Sequence, residues 1–370
     1  MKLIAKTFFG LESVLENELK NLGARSIKKI NRGVEFEGDK GFLYKANLSL
    51  RTALEILMPV HSFTFDTQAQ YYTKIYEFEW SKYLDFTKTF AINFNVYSKI
   101  FTHSQYASLV CKDAIVDHLR NLHSKRPSVD TQNPDVRIDL HIYENKCDIS
   151  LDSSWPSLFK RGYRKSQFDS PINEVLAAGL IDLGGWDKKV DFYDPFCGSG
   201  TFSTEAYIKA SGIHPQYWRS DFGFMRWFDF DEILYNKILN KIYKPIGEIP
   251  GRIYASDLEL YSMDACKINW RYAKISRRIS GQMGDFFQSK PKSENGWIIM
   301  NPPYDIRISL DDTARFYRDI GRKLNDDYQG FTAWIISPHT DLIEKINLRK
   351  IKSYKVYNGS IECKFVGFEC

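Results

Sequence analysis

The stretch Asp194-Pro195-Phe196-Cys197-Gly198-Ser199-Gly200-Thr201 sets the tightest limit on what this chain can fold into. It follows an apolar run, Val190 to Tyr193, that reads as a buried parallel strand. A helical pattern through Phe202, Ala206, Ile208 and Ala210 begins right after it. Gly198 and Gly200 have no Cβ, so positive φ costs little and a ligand can come close to the main chain. The N–H groups that open the next helix then face outward as donors. A strand, a glycine-rich turn and a helix in that order suit a nucleoside or dinucleotide bound where the carboxyl ends of parallel strands open. Neither the phosphate loop GxxxxGK(S/T) nor GxGxxG matches.

Roughly 100 residues downstream, Asn301-Pro302-Pro303-Tyr304 closes a second apolar run, Trp297 to Met300. Two consecutive prolines cannot continue a ladder, so the chain leaves the sheet there. Asn301 and the proline carbonyls then point into the cleft above the sheet. Acceptors in that position would hold the hydrogens of a planar exocyclic amine, whose lone pair is delocalised into its ring, and orient it for attack.

Together the two stretches resemble class I S-adenosylmethionine (SAM) methyltransferases, in the form that methylates exocyclic amines. That resemblance implies an α/β, Rossmann-like seven-stranded sheet. It also implies a SAM site built from Asp194, Pro195, Cys197, Gly198, Ser199, Gly200 and Thr201, with Glu174 on the preceding helix and Asn301. The second strand, Arg252 to Asp257, ends at Asp257, placed for ribose hydroxyls with a helix N-cap as the competing reading, and Leu258 follows it in the cofactor site. Asp285 is the candidate partner of the adenine amino group, with Phe286 beside the ring. Asn301, Pro302, Pro303 and Tyr304 form the catalytic motif, Tyr304 stacking on the base. Cys197 reads as a packed residue, because direct methyl transfer needs no nucleophile. The family commonly has Lys-Glu where this chain has Asn173-Glu174, and Gly where it has Asp305.

At 370 residues, with 43% hydrophobic and 15% aromatic residues, the chain is long enough for two or three domains with real cores. A net charge of +5 permits nucleic-acid binding without arguing for it. The six cysteines show no CxxC or CxxxH spacing, so neither a metal site nor a disulfide framework is expected, and free thiols suit the cytoplasm. No window approaches the roughly 18 apolar residues of a membrane span, and the N-terminal apolar run is too short for a signal peptide.

Three segments follow in order. Residues 1–60 read as β-α-β-β-α, a ferredoxin-like α+β unit whose last helix runs from Lys40 to Leu57 and ends at Pro59. Residues 61–155 form a second α+β unit, with a helix from Thr67 to Trp80, a strand from Phe90 to Val96, a helix from Ser104 to Leu122 and a pair of strands after it. Residues 156–370 alternate strand and helix. Ser170-Pro171 starts the helix before the glycine loop. An aromatic-rich insert over 212–250 reads chiefly as packing. Another helix is expected from Asp341 to Leu348, and Asn358-Gly359 signals a type I′ hairpin at the end.

The order of the second unit, with Ser104-Gln105-Tyr106, Arg126-Pro127 and Asn133-Pro134-Asp135-Val136, resembles a THUMP domain, a module that binds RNA in RNA-modifying enzymes. With Gly10-Leu11-Glu12, Lys112 to Asp117 and Arg161-Gly162-Tyr163-Arg164, the whole chain resembles the THUMP-containing guanine-N2 methyltransferases of large-subunit ribosomal RNA, in the RlmL-type form that makes up one half of bifunctional bacterial enzymes. That implies a cytoplasmic monomer acting on 23S rRNA or a large-subunit assembly intermediate, without metal or membrane. Lys125, Arg126, Arg161, Arg164 and Lys165 are its candidate RNA contacts, and Lys28, Lys29, Arg32 and Arg120 are further basic residues of the N-terminal half. A tRNA guanosine, adenine-N6 in DNA, and a non-catalytic RNA-binding role remain the alternatives.

Overall fold

The computed structural model describes residues 1–166, 171–304 and 310–370. Ser170 of the expected helix start and Asp305 after the proline motif lie outside these. The N-terminal half runs β1 (Lys2–Lys6), α1 (Glu12–Leu22), β2 (Arg25–Ile30), β3 (Gly33–Glu37), α2 (Lys40–Ser49), β4 (Glu55–Thr64), α3 (Gln68–Tyr76), β5 (Thr89–Tyr97), α4 (Ser104–His123), β6 (Ser128–Val129), β7 (Val136–Tyr143) and β8 (Lys146–Asp152). Its strands form one sheet in the order β2-β3-β1-β4-β8-β7-β5-β6.

The helix expected from Lys40 to Leu57 is therefore two elements. Leu50 turns extended, with ψ of 123°, and ends α2. Ile56 and Leu57 then enter β4, where they pair with Ala5 and Ile4. The apolar spacing fits either state, and cross-strand pairing decides it. β4 also pairs along its length with β8, and Pro59 sits where that register shifts, between Pro59 and His61. A proline without an N–H is tolerated at such a bulge. The break expected at Pro59 is thus the middle of a strand shared by both N-terminal modules.

The second half runs α5 (Glu174–Leu183), β9 (Asp191–Asp194), α6 (Thr201–Ser211), α7 (Glu232–Ile242), β10 (Ile253–Asp257), α8 (Leu260–Tyr272), β11 (Ile279–Met283), β12 (Gly296–Met300), α9 (Leu310–Asp327), β13 (Phe331–Ser337), α10 (Thr340–Ile343), β14 (Arg349–Asn358) and β15 (Ile361–Glu369). Its sheet has seven strands in the order β11-β10-β9-β12-β13-β15-β14. The pairs among β9 to β13 are parallel, and β15 runs antiparallel between β13 and β14. The order reverses between β9 and β12, the place where an open α/β sheet leaves a crevice beyond its carboxyl ends. Two expectations are corrected. α10 ends at Ile343, well short of Leu348. The final hairpin pairs Asn358 with Ile361, so its two-residue loop is Gly359-Ser360. Of these two, only Gly359 has positive φ, the pattern of a II′ turn rather than I′.

The aromatic insert packs as expected, and against the other half of the protein. Phe222, Phe224 and Tyr235 are buried in one cluster with Leu43, Tyr44 and Leu48 of α2. The Phe224 ring lies 4.6 Å from that of Tyr44. No described helix is long and apolar enough to cross a membrane.

Candidate active site at the sheet switch point

β9 ends at Asp194, and the chain turns through Pro195 to Gly200 into α6. Gly198 (φ +52°) and Gly200 (φ +80°) both lie in the left-handed region. At Gly200 a Cβ would stand 2.9 Å from Cys266 Sγ and 3.0 Å from Trp270 Nε1, so only glycine lets the loop sit on α8. At Gly198 none of the described residues lies within 4 Å of that point, and this face of the loop is open to them.

The loop is fastened on several sides. Gly198 N–H donates to Asp257 Oδ2 at 2.9 Å, and Cys197 N–H to the Ser256 carbonyl at 3.0 Å. Asn269 of α8, a residue sequence reasoning missed, donates to the Ser199 carbonyl at 3.1 Å and accepts from Lys165 N–H and Ser166 N–H. Arg164 donates from Nη1 to Ser199 Oγ at 3.0 Å and from Nη2 to Thr201 Oγ1 at 2.9 Å. Its Nε meets Glu174 Oε1 at 2.8 Å in a largely buried ion pair. Asn173 accepts from Val175 N–H and caps α5.

Asp194 is 1% exposed; its Oδ2 accepts from Ser203 N–H at 3.2 Å, and among the described residues no donor reaches Oδ1. Burial, with the nearby Asp257 charge adding to it, pushes this carboxyl well above its usual range. Cys197 lies 3.7 Å from Cys266 Sγ and 3.7 Å from Met263 Sδ. The hydrogen bond to Cys266 and burial push its thiol up, the state of a packed residue rather than a nucleophile.

At the end of β10, Asp257 uses Oδ1 to accept from Glu259 N–H. The N-cap of α8 is Glu259, with no side-chain cap, so the competing reading of Asp257 as that cap is set aside. Asp285 Oδ1 accepts from Phe287 N–H at 2.9 Å. Phe286 departs from expectation. It is 2% exposed, with rings of Phe196, Phe287 and Tyr328 within 5.7 Å, so it has no free face to lay beside an adenine. The apolar side chains that do stand open at these strand ends are Leu258 and Met283, and sequence reasoning passed over Met283.

Across the crevice, β12 delivers Asn301. Its Oδ1 is buried, and no donor reaches it among the described residues. A buried acceptor without a donor is costly unless something arrives to satisfy it. Pro302 is buried and Pro303 exposed. The Tyr304 hydroxyl accepts from Asn358 Nδ2 at 3.1 Å, and its carbonyl meets His339 Nε2 at 3.1 Å. Burial raises the Tyr304 phenol well above its usual range, so it stays neutral.

Two expected RNA contacts are corrected. Arg161 is 1% exposed, paired with Glu205 at 3.4 Å and donating to the Leu158 and Arg51 carbonyls, so no ligand surface includes it. Arg164 is spent on the glycine loop. Lys125, Arg126 and Lys165 are exposed; Lys125 Nζ lies over Phe86 at 4.9 Å and Lys165 Nζ over Tyr272 at 4.3 Å.

Three family descriptions match: an RlmL ferredoxin-like domain over residues 2–57, a THUMP domain over 68–152, and an RMKL-like methyltransferase domain over 161–366. A Synechocystis protein named "Putative RNA methyltransferase" is 34% identical over 97% of this chain and 94% of its own length. The ribosomal RNA large subunit methyltransferase K/L of Shewanella frigidimarina is 31% identical over 96% of this chain, which spans 51% of that protein. The crystal structure of SMU.472, "a putative methyltransferase complexed with SAH", superposes with a TM-score of 0.88 at 27% identity, covering 100% of this chain and 97% of that one. The residues present fit SAM. The face of the loop at Gly198 is open, Asp194 and Asn301 hold acceptors that no donor reaches among the described residues, and Leu258 and Met283 offer apolar surface at the ends of β10 and β11. The chain belongs to the RMKL-like methyltransferase family, carries RlmL ferredoxin-like and THUMP domains before its catalytic domain, and is SAM-dependent.

Proposed function

We propose that this protein methylates the exocyclic N2 amine of a guanosine in large-subunit ribosomal RNA. The observation that carries the reading is the buried, donorless Oδ1 of Asn301, at the end of β12 and across the switch point from the glycine loop. When bound, SAM supplies an electrophilic sulfonium methyl. Asn301 Oδ1 and the Pro302 carbonyl accept the two amine hydrogens and direct the nitrogen lone pair at it. Tyr304, held by Asn358, offers its ring to the base, which has to leave its stack to enter the cleft. Stacking of that kind contributes roughly 1–3 kcal/mol. Asp194, Asp257, Asp285, Glu174 and the loop from Pro195 to Thr201 hold the cofactor. Positioning does most of the catalytic work, because the bound methyl is already reactive. The THUMP domain and the rRNA methyltransferase relative support RNA as substrate, and Lys125, Arg126 and Lys165 are the exposed basic residues proposed to meet it.

Radiolabelled SAM, the purified protein and total RNA from cells lacking it provide the test. Label appearing as N2-methylguanosine in the large-subunit fraction, and lost in Asn301→Ala, is the expected result. Label confined to tRNA would move the substrate, and label in DNA alone would overturn the reading.

A further inference from the structure

The catalytic motif is physically continuous with the ferredoxin-like module. Tyr304 is tied to Asn358 at the tip of β14. The next residue, Tyr357, carries Phe9 against it edge-on at 5.7 Å and the Arg32 guanidinium 5.8 Å from its ring centroid. Lys355 lies over the same ring at 5.6 Å. These groups are held by backbone. A Cβ on Gly10 (φ +89°) would stand 2.8 Å from the Lys355 carbonyl, so the Phe9-Gly10 loop docks directly on β14. Glu12 fixes both neighbouring turns, accepting from Gly10 N–H at 2.9 Å and Arg32 N–H at 3.1 Å.

Yet the surface is left open. Phe9 is 37% exposed, Tyr357 is partly exposed, and Arg32 is exposed with no ion pair among the described residues. Lys28, exposed on the edge strand β2, extends the positive charge away from the cleft. Lys355 is paired with Glu362 at 2.8 Å, which also accepts from the Tyr357 hydroxyl, so Arg32 and Lys28 are the cations left to a ligand. Aromatic faces beside such cations, starting at the catalytic tyrosine, match single-stranded nucleic acid: bases stack on the rings and phosphates meet the cations.

We propose that this junction grips the single-stranded RNA segment flanking the target nucleotide, with Phe9 and Tyr357 as stacking platforms and Arg32 on a phosphate. The proposal rests on the RNA reading above. It makes the ferredoxin-like module part of the substrate site.

Arg32→Ala and Arg32→Glu touch only an exposed side chain, and Phe9→Leu keeps the apolar contact while removing the ring. Methylation of a large-subunit RNA fragment is measured over a salt series, with SAH affinity as the control for the cofactor site. The expected result is a KM for RNA raised about tenfold or more in each variant, with kcat and SAH affinity unchanged. For Arg32→Ala the slope of log affinity against log salt should also fall by roughly 0.7, the loss of one phosphate contact. Wild-type KM and salt slope in all three variants would overturn the proposal and leave the function standing. Failure of the wild-type protein to bind or methylate RNA would overturn both.

Discussion

Arg164 offers the sharpest separation between two accounts of one residue. Read as part of a basic connector, it meets RNA; in the structure, it ties Glu174 to the hydroxyls of Ser199 and Thr201. Its side chain is 12% exposed and that of Glu174 6%, so the pair is nearly desolvated. Arg164→Met would strand the Glu174 carboxylate, and breaking a buried pair this way costs about 3–5 kcal/mol of stability. It would also release two charge-assisted bonds that hold the cofactor loop, each contributing roughly 1.5–3 kcal/mol. If the free loop must recover even one bond's worth of order on binding, SAM affinity falls about tenfold, since ~1.4 kcal/mol is a factor of ten. Calorimetric titration with SAH, on wild type, Arg164→Met, Ser199→Ala and the double variant, measures this directly. The two substitutions should be non-additive, because they remove opposite ends of one contact. Unchanged SAH affinity in Arg164→Met, together with weakened RNA binding, would refute the argument and return Arg164 to the RNA surface.

Other outcomes follow from the same geometry. Gly200→Ala combines φ of +80° with a Cβ inside contact distance of Cys266 and Trp270, so thermal unfolding should show a loss of stability. Gly198→Ala meets no atom of the described residues but must hold φ of +52°, so it should lose about 1–2 kcal/mol, less than Gly200→Ala, while SAH titration shows weakened binding because its methyl fills the open face. At the seam of the N-terminal sheet, burial first, then the Asp152 and Asp139 charges, push Glu55 up to about 8. A carboxyl raised in the folded state binds more protons than in the unfolded one, so stability from this group is greatest at low pH and is lost as pH rises from about 4.5 to about 8. Melting curves across that window should flatten in Glu55→Gln. Arg161→Met leaves the buried Glu205 carboxylate without its nearest cation and should cost about 3–5 kcal/mol in chemical denaturation, with RNA affinity per folded molecule unchanged.

What could be read from the chain was what local chemistry dictates. Gly198, Gly200 and the Pro302-Pro303 pair announce their turns wherever they occur, and β9 and β12 carry the buried runs that precede them. What escaped depends on partners distant in sequence. Ile56 and Leu57 become strand only because β1 and β8 lie alongside. Arg161 and Arg164 look like surface charge until Glu205, Glu174 and Ser199 are brought around them from beyond the connector. Phe286 is removed from the ligand surface by Phe196 and Tyr328, which no spacing rule connects to it. Met283 carries no motif at all; only its exposure at the end of β11 draws attention to it.

The strand shared by the two N-terminal modules has a mechanical consequence. Hydrogen bonds run from β1 through β4 into β8 without a hinge, so neither module can melt or rotate without tearing the other's ladder. Such a sheet behaves as one cooperative unit. The ferredoxin-like edge also carries Gly10, docked on β14. Lys125 and Arg126, the THUMP-domain residues proposed to meet RNA, are thereby held at a fixed reach from Tyr304, which under the proposed function would make the protein a gauge. In the proposed function, a target base would be admitted by its distance from that grip as much as by its identity, and an insertion in β4 would change which nucleotide is presented without touching the cleft.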